Sequence, residues 1–250
     1  MQLWTLEHFV TIVPAVIIMI LITIVLSKVL GNKPHHIRMI PFQILAVILL
    51  LSEIIKQVLS IINGYDLYHI PLHVCSLFIF FIPLTAFYNK KGSEVINLFT
   101  CTICVSIALF MLIYPNIIYS KENITNFFNN YFDFHTVFFH NLILFEFILI
   151  IGLNLYSTKG KKYLKHVVIA SIIYSSTAAL MAQILKTNFS NFYSCNIEVV
   201  NNLVLIVKES IGNILGQALY VLILLILHIC FFTTSYYVYT KVEKLQNIGK

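Results

Sequence analysis

Lysine and arginine gather in every second loop of a chain that is otherwise almost continuously apolar. Lys28, Lys33 and Arg38 follow the first apolar run and Lys90 and Lys91 the third. Lys159, Lys161, Lys162 and Lys165 follow the fifth, and Lys241, Lys244 and Lys250 the last. The intervening loops are poorer in base and richer in acid: Asp66 lies in the second, Glu122 and Asp133 with Lys121 in the fourth, and Glu198 with Lys186 in the sixth. Basic loops face the cytoplasm. An alternation without exception therefore implies an odd number of membrane crossings, with the N-terminus outside and the C-terminus cytoplasmic.

Composition requires the same solvent. The 250 residues are 59% hydrophobic and 10% charged, where a soluble domain carries about 25% charged residues. No water-soluble fold has enough polar surface to cover this many apolar side chains, so the bilayer must do so. The formal charge of +6 then reflects the cytoplasmic bias rather than a nucleic-acid partner. A span needs about 20 apolar residues, and seven fit: Thr5–Leu30, Ile37–Ile62, His69–Tyr88, Val95–Tyr114, Phe134–Tyr156, Tyr163–Leu185 and Ile211–Tyr239. The expected fold is all-α, one seven-helix bundle over residues 1–250, in the cell membrane. The first run is too long for a signal-peptide core and no Lys or Arg precedes it, so it reads as a retained helix. Tyrosines and Trp4 near the span ends suit the headgroup level. The stretch Ile197–Val207 is too short to span and suits a short interfacial helix.

The few polar residues inside these spans fall near one depth. Glu53, Lys56 and Gln57 lie in the second helix. A charge at mid-membrane costs about 2.5–3.5 kcal/mol, so Glu53 and Lys56 either neutralise each other as i,i+3 neighbours or line a wet cavity. His73 lies about 6 Å below the outer end of the third helix, and His140 and Gln217 about 9 Å below the outer ends of theirs, at the rise of an α-helix. Glu146 lies near the membrane centre, protonated or paired across helices with Lys56. The last helix also carries Asn213. Intramembrane ionisable groups normally face the bundle interior, so these residues are expected to share an outward-facing pocket that takes a membrane lipid or another amphipathic small molecule.

Two histidines, His73 and His140, suit acid–base work near neutral pH, and Cys75 and Ser76 are candidate nucleophiles. On a regular helix Cys75 and His73 would diverge, leaving Cys75 to meet His140 across helices. His69 and His73 have i,i+4 ligand spacing without a third ligand. Cys101 and Cys104 sit inside an apolar helix and read as small buried hydrophobes. Neither a metal nor another cofactor is expected. The last helix holds no lysine, which excludes a retinal protein.

The segment Ile70-Pro71-Leu72-His73-Val74-Cys75-Ser76-Leu77, after a helix with Glu53 and Lys56 and before His140, resembles the YwaF-type bacterial integral membrane proteins. That family is distantly similar to an animal ether-phospholipid acyltransferase and to androgen-induced hydrolases of branched fatty-acid esters. The resemblance implies lipid acyl transfer or ester hydrolysis, with His73 and His140 as the polar pair. In the acyltransferase pattern the nucleophile directly precedes the motif histidine. Leu72 occupies that position here, and only Cys75 is left to substitute. A transporter or solute-binding protein using the same pocket, and a scaffold whose polar groups only hold helices together, are the alternatives.

Overall fold

A computed structural model describes residues 3–156, 160–195 and 197–248. Lys159 and Lys250 lie outside them, as does the side chain of Lys161. Every regular element among the described residues is helical. The main helices are α1 (Leu6–Leu30), α2 (Ile40–Ile62), α3 (Leu77–Phe87), α4 (Ser93–Ile113), α5 (Tyr131–Gly152), α6 (Leu164–Leu185), α7 (Glu198–Ile211) and α8 (Asn213–Ile248). Six of them, all but α3 and α7, are long and apolar enough to cross a membrane.

The helix ends follow from local chemistry. Thr5 and His8 form a capping box at the start of α1, and the Asn130 side chain accepts the Phe132 N–H at the start of α5. Each supplies partners to amides that have none within the helix. Arg38 ends the first connection by donating to the carbonyls of Leu153 and Asn154 at 2.8 and 3.2 Å, a cation at the negative end of α5.

α4 and α5 form the centre and are the most extensively buried of the helices. α5 packs on α1, α2 and α4, and α8 packs on α4, α6 and α7. In lipid, close fit and interhelical hydrogen bonds hold helices together rather than exclusion of water. Gly152 lets α5 approach α1 so closely that Thr23 Cγ2 leaves no room for a Cβ at that position. Ser106 of α4 bonds Ser235 of α8 at 2.9 Å. Much of α1 faces outward, as expected of a helix against acyl chains.

Contacts sort the loops between two ends of the bundle. At one end His35 bonds Leu155, Tyr156 bonds Thr85, Tyr163 bonds Glu94 and Tyr239 bonds Tyr156. At the other, Glu7 pairs with Lys121, His8 bonds the Tyr119 carbonyl, and Gln217 bonds that of Tyr193.

One expected helix differs. The segment His69–Tyr88 is helical only from Leu77. Before it come a single 3₁₀ turn, Leu67–His69, and a series of tight turns, including Ser76 N–H to the His73 carbonyl at 3.0 Å. Pro71 has no N–H to donate, and the polar residues around it take partners from other segments: Ser60 of α2 meets His69 Nδ1 at 2.6 Å, and the Ser190 N–H meets His73 Nδ1. Helical depth and helical facing therefore do not apply to His69, His73 and Cys75.

Candidate functional site

The non-helical entry to α3 forms one wall of a cavity of about 340 Å³. Glu53 and Lys56 of α2, His135 and His140 of α5 and His228 of α8 also line it, as do Asn188, Ser190 and Asn191 from the loop after α6. Five of the nine histidines in the chain face this space: His69, His73, His135, His140 and His228. Ile107, Phe110, Ile117, Ile118, Phe132 and Phe139 provide apolar wall.

Both readings of Glu53 and Lys56 apply. Lys56 Nζ lies 2.8 Å from Glu53 Oε1, and both residues line the cavity. Gln57, which does not line it, donates to Glu53 Oε1 at 2.7 Å and to the His69 carbonyl at 2.9 Å. It steadies the carboxylate and ties α2 to the entry. The second carboxylate oxygen of Glu53 lies 3.2 Å from His135 Nε2, at an angle that makes no hydrogen bond. His135 is almost fully buried, and this nitrogen meets the Glu53 carboxylate at the cavity wall without a hydrogen bond.

The two expected histidines sit differently. His140 Nδ1 is 2.6 Å from the Thr136 carbonyl one turn earlier. That carbonyl takes the ring N–H, so Nε2 is the basic nitrogen. Both ring nitrogens of His73 have backbone partners: Nε2 donates to the Tyr68 carbonyl at 3.2 Å, and Nδ1 receives the Ser190 N–H at 3.4 Å. His73 thus fastens the entry to the loop above it. Cys75 lines the same cavity two residues on, and no hydrogen bond joins it to His140 among the described residues. His69 and His73 lack helical i,i+4 geometry, and among the described residues no group of three or more His, Cys, Asp or Glu is arranged to hold a metal.

The loop after α6 caps the cavity. The Ser190 hydroxyl accepts the Val74 N–H at 3.0 Å and contacts the Tyr174 hydroxyl at 2.8 Å; Tyr174 donates to the Leu72 carbonyl at 3.0 Å. Ser190 and Asn191 have φ of +49° and +66°, the left-handed region that costs an ordinary L-residue roughly 1–2 kcal/mol. Two such residues in succession persist where surrounding bonds hold them, and such strain gathers at functional sites.

Besides Gln57, three expected members of the pocket lie elsewhere. Glu146 is fully buried in α5 with neither carboxylate oxygen hydrogen-bonded; Lys56 pairs with Glu53 instead. Gln217 donates to Gln183 and to the Tyr193 carbonyl, both at 3.1 Å, and steadies the cap from behind. Asn213 is exposed at the start of α8. The reason is length. The 36 residues of α8 extend about 54 Å at 1.5 Å per residue, far more than a bilayer core. Depth counted from its first residue therefore overstates how far inside Gln217 lies, and His228 rather than Gln217 reaches the cavity. His135 and Ser190 carried no local signal, because their partners, Glu53 and Val74, are distant in sequence.

No curated protein and no solved structure matched the chain. A family model did, over residues 3–240, a span that takes in α1 to α7, most of α8, the cavity and its cap. Multi-pass membrane helices around that one pocket accord with the match: the chain belongs to the TMEM164 family of integral membrane proteins.

Proposed function

We propose that this protein is a YwaF-like member of its family that carries out acyl transfer or ester hydrolysis on a membrane lipid inside the capped cavity. We further propose seven crossings, with α3 and its non-helical entry as the third, an outside N-terminus and a cytoplasmic C-terminus. The observation that carries the reading is that Cys75 and His140 line one cavity with both a polar and an apolar wall. A lipid ester presents a polar head and an acyl chain, and such a divided lining suits it.

In the proposed reaction, His140 Nε2 takes the thiol proton of Cys75 as Sγ bonds to the ester carbonyl carbon. The tetrahedral intermediate collapses with loss of the C–O bond, and the departing alkoxide takes the proton from His140. The resulting thioester passes its acyl group to water or to a lipid hydroxyl by the same steps, with His140 deprotonating the acceptor. His73, tied at both nitrogens, positions the Cys75 turn. Glu53 and Lys56 face the polar head, with Gln57 behind them.

A cysteine-reactive lipid probe on the purified protein tests this. Labelling is expected, with loss in both Cys75→Ala and His140→Ala. Absence of labelling, or labelling that neither variant changes, overturns it. The Glu53–Lys56–His135 cluster needs no nucleophile and favours solute transport as the second reading. Counterflow in proteoliposomes that Lys56→Ala abolishes would select it.

A further inference from the structure

We infer that α7 is an interfacial anchor whose exposed apolar stripe docks on the outer surface of the bilayer and ties the cap of the cavity to the membrane. This concerns α7 and the lipid surface, and it stands whatever chemistry the cavity performs.

α7 has three sides. At about 100° per residue, Asn201, Val204 and Lys208 share one side, which meets α8 at Lys208. All three are half-buried, and a Cβ on Gly216 of α8 would stand 2.8 Å from Lys208 Cα. Glu198, Asn202 and Glu209 form a second side, which carries all the acidic residues of α7 together with Leu205, and all four are exposed. Val199, Leu203 and Ile206 form the third, at i, i+4 and i+7, and they are 70%, 58% and 57% exposed. None of the α7 residues is buried in the protein.

An apolar stripe beside a charged one marks a helix lying in a membrane interface. The stripe also continues into the apolar outer surface of α8. Across Gly212, where φ is +89°, it is followed by Ile214 and Leu215 of α8, which are 87% and 64% exposed. α7 lies between two membrane-crossing helices, α6 and α8. Its length of 14 residues gives about 21 Å, too short to cross and enough to lie along the surface.

The connection to the cavity is direct. The first turns of α8, against which α7 packs, also hold the cap: Tyr220 donates to the Asn191 carbonyl at 2.5 Å and Gln217 to that of Tyr193 at 3.1 Å. An α7 seated in lipid fixes the α8 surface from which the cap hangs.

Tryptophan reporters test the docking on the full chain in phosphatidylcholine vesicles. Trp4 is the only native tryptophan, so Leu203→Trp and Asn202→Trp are each made in a Trp4→Phe background. Brominated acyl chains are expected to remove most of the Leu203→Trp fluorescence, and aqueous iodide most of that of Asn202→Trp. If iodide quenches both alike, the stripe faces water and the inference fails. If neither quencher reaches Leu203→Trp and crosslinking captures a dimer, a second copy covers the stripe and the inference fails equally. Should Trp4→Phe impair folding, the two reporters are compared in the native background, where excess quenching of Leu203→Trp by brominated lipid supports the docking and equal quenching of the two overturns it.

Discussion

Glu53 and Lys56 are the costliest pair in the molecule. Their side chains are 5% and 15% exposed, with charged atoms 2.8 Å apart. Such a pair gains little over an apolar replacement, but breaking it leaves one charge buried without its partner, at about 3–5 kcal/mol. Glu53→Gln is therefore expected to destabilise by that amount, and Glu53→Gln combined with Lys56→Met to recover most of the loss. Thermal unfolding in detergent across the double-mutant cycle measures the coupling; additive losses would mean that each residue interacts elsewhere. These two residues were legible in the sequence because a charge inside an apolar run stands out. His73 and His140 were legible as ionisable groups in apolar runs, and Cys75 through the motif around His73. His135 was not, since its value lies in a contact with Glu53 from another helix, and neither segment announces the other. Glu146 stood out as much as the true lining residues and lies outside the cavity. An anomalous residue type in an apolar run reveals burial, not which interior space the side chain faces.

Among the elements, the long helices could be read because an apolar run of bilayer length has one stable conformation in lipid. The entry to α3 could not. His69, His73 and Ser76 sit in a run whose average is apolar, yet their backbone partners come from tight turns and from the cap, not from a helix. That arrangement depends on a loop more than a hundred residues away in sequence. Its dependence can be measured. The Val74 N–H is held by the Ser190 hydroxyl, and Ser190→Ala leaves that amide without its acceptor, a loss of about 1–3 kcal/mol if it stays buried. Hydrogen exchange at Val74 is expected to accelerate in Ser190→Ala. It is expected to be unchanged in Asn191→Gly, which removes a side chain from a left-handed position and keeps the Ser190 hydroxyl. Exchange unaffected by Ser190→Ala would mean that the cap does not hold the entry.

For the whole molecule, contacts sort the loops into the same two sets that charge does. His35 and Arg38 reach the residues that end α5, Tyr156 reaches Thr85, and Tyr239 reaches Tyr156. Hydrogen bonds thus gather at one end the connections that carry Lys33, Lys90, Lys91 and Lys162, together with the last turns of α8. The other end holds Asp66, Glu122 and Asp133, the start of α1 and the cavity-lining residues Tyr68, Asn123 and Asn188. A bundle whose first crossing helix starts at one end and whose last finishes at the other fits the odd number of crossings proposed above, with the cationic end cytoplasmic. On the proposed topology the cavity opens toward the outer leaflet, where an incoming lipid would meet the cap before the histidines. Single cysteines in a cysteine-free background test this: Asn126→Cys at the acidic end is expected to react with a membrane-impermeant maleimide on intact cells, and Lys90→Cys only after permeabilisation. Both positions are exposed, so a failure to label reflects sidedness rather than burial. The reverse pattern would turn the molecule over and set the cavity on the cytoplasmic side. Labelling of both on intact cells would require an even number of crossings between residues 90 and 126, and α4 could not then span.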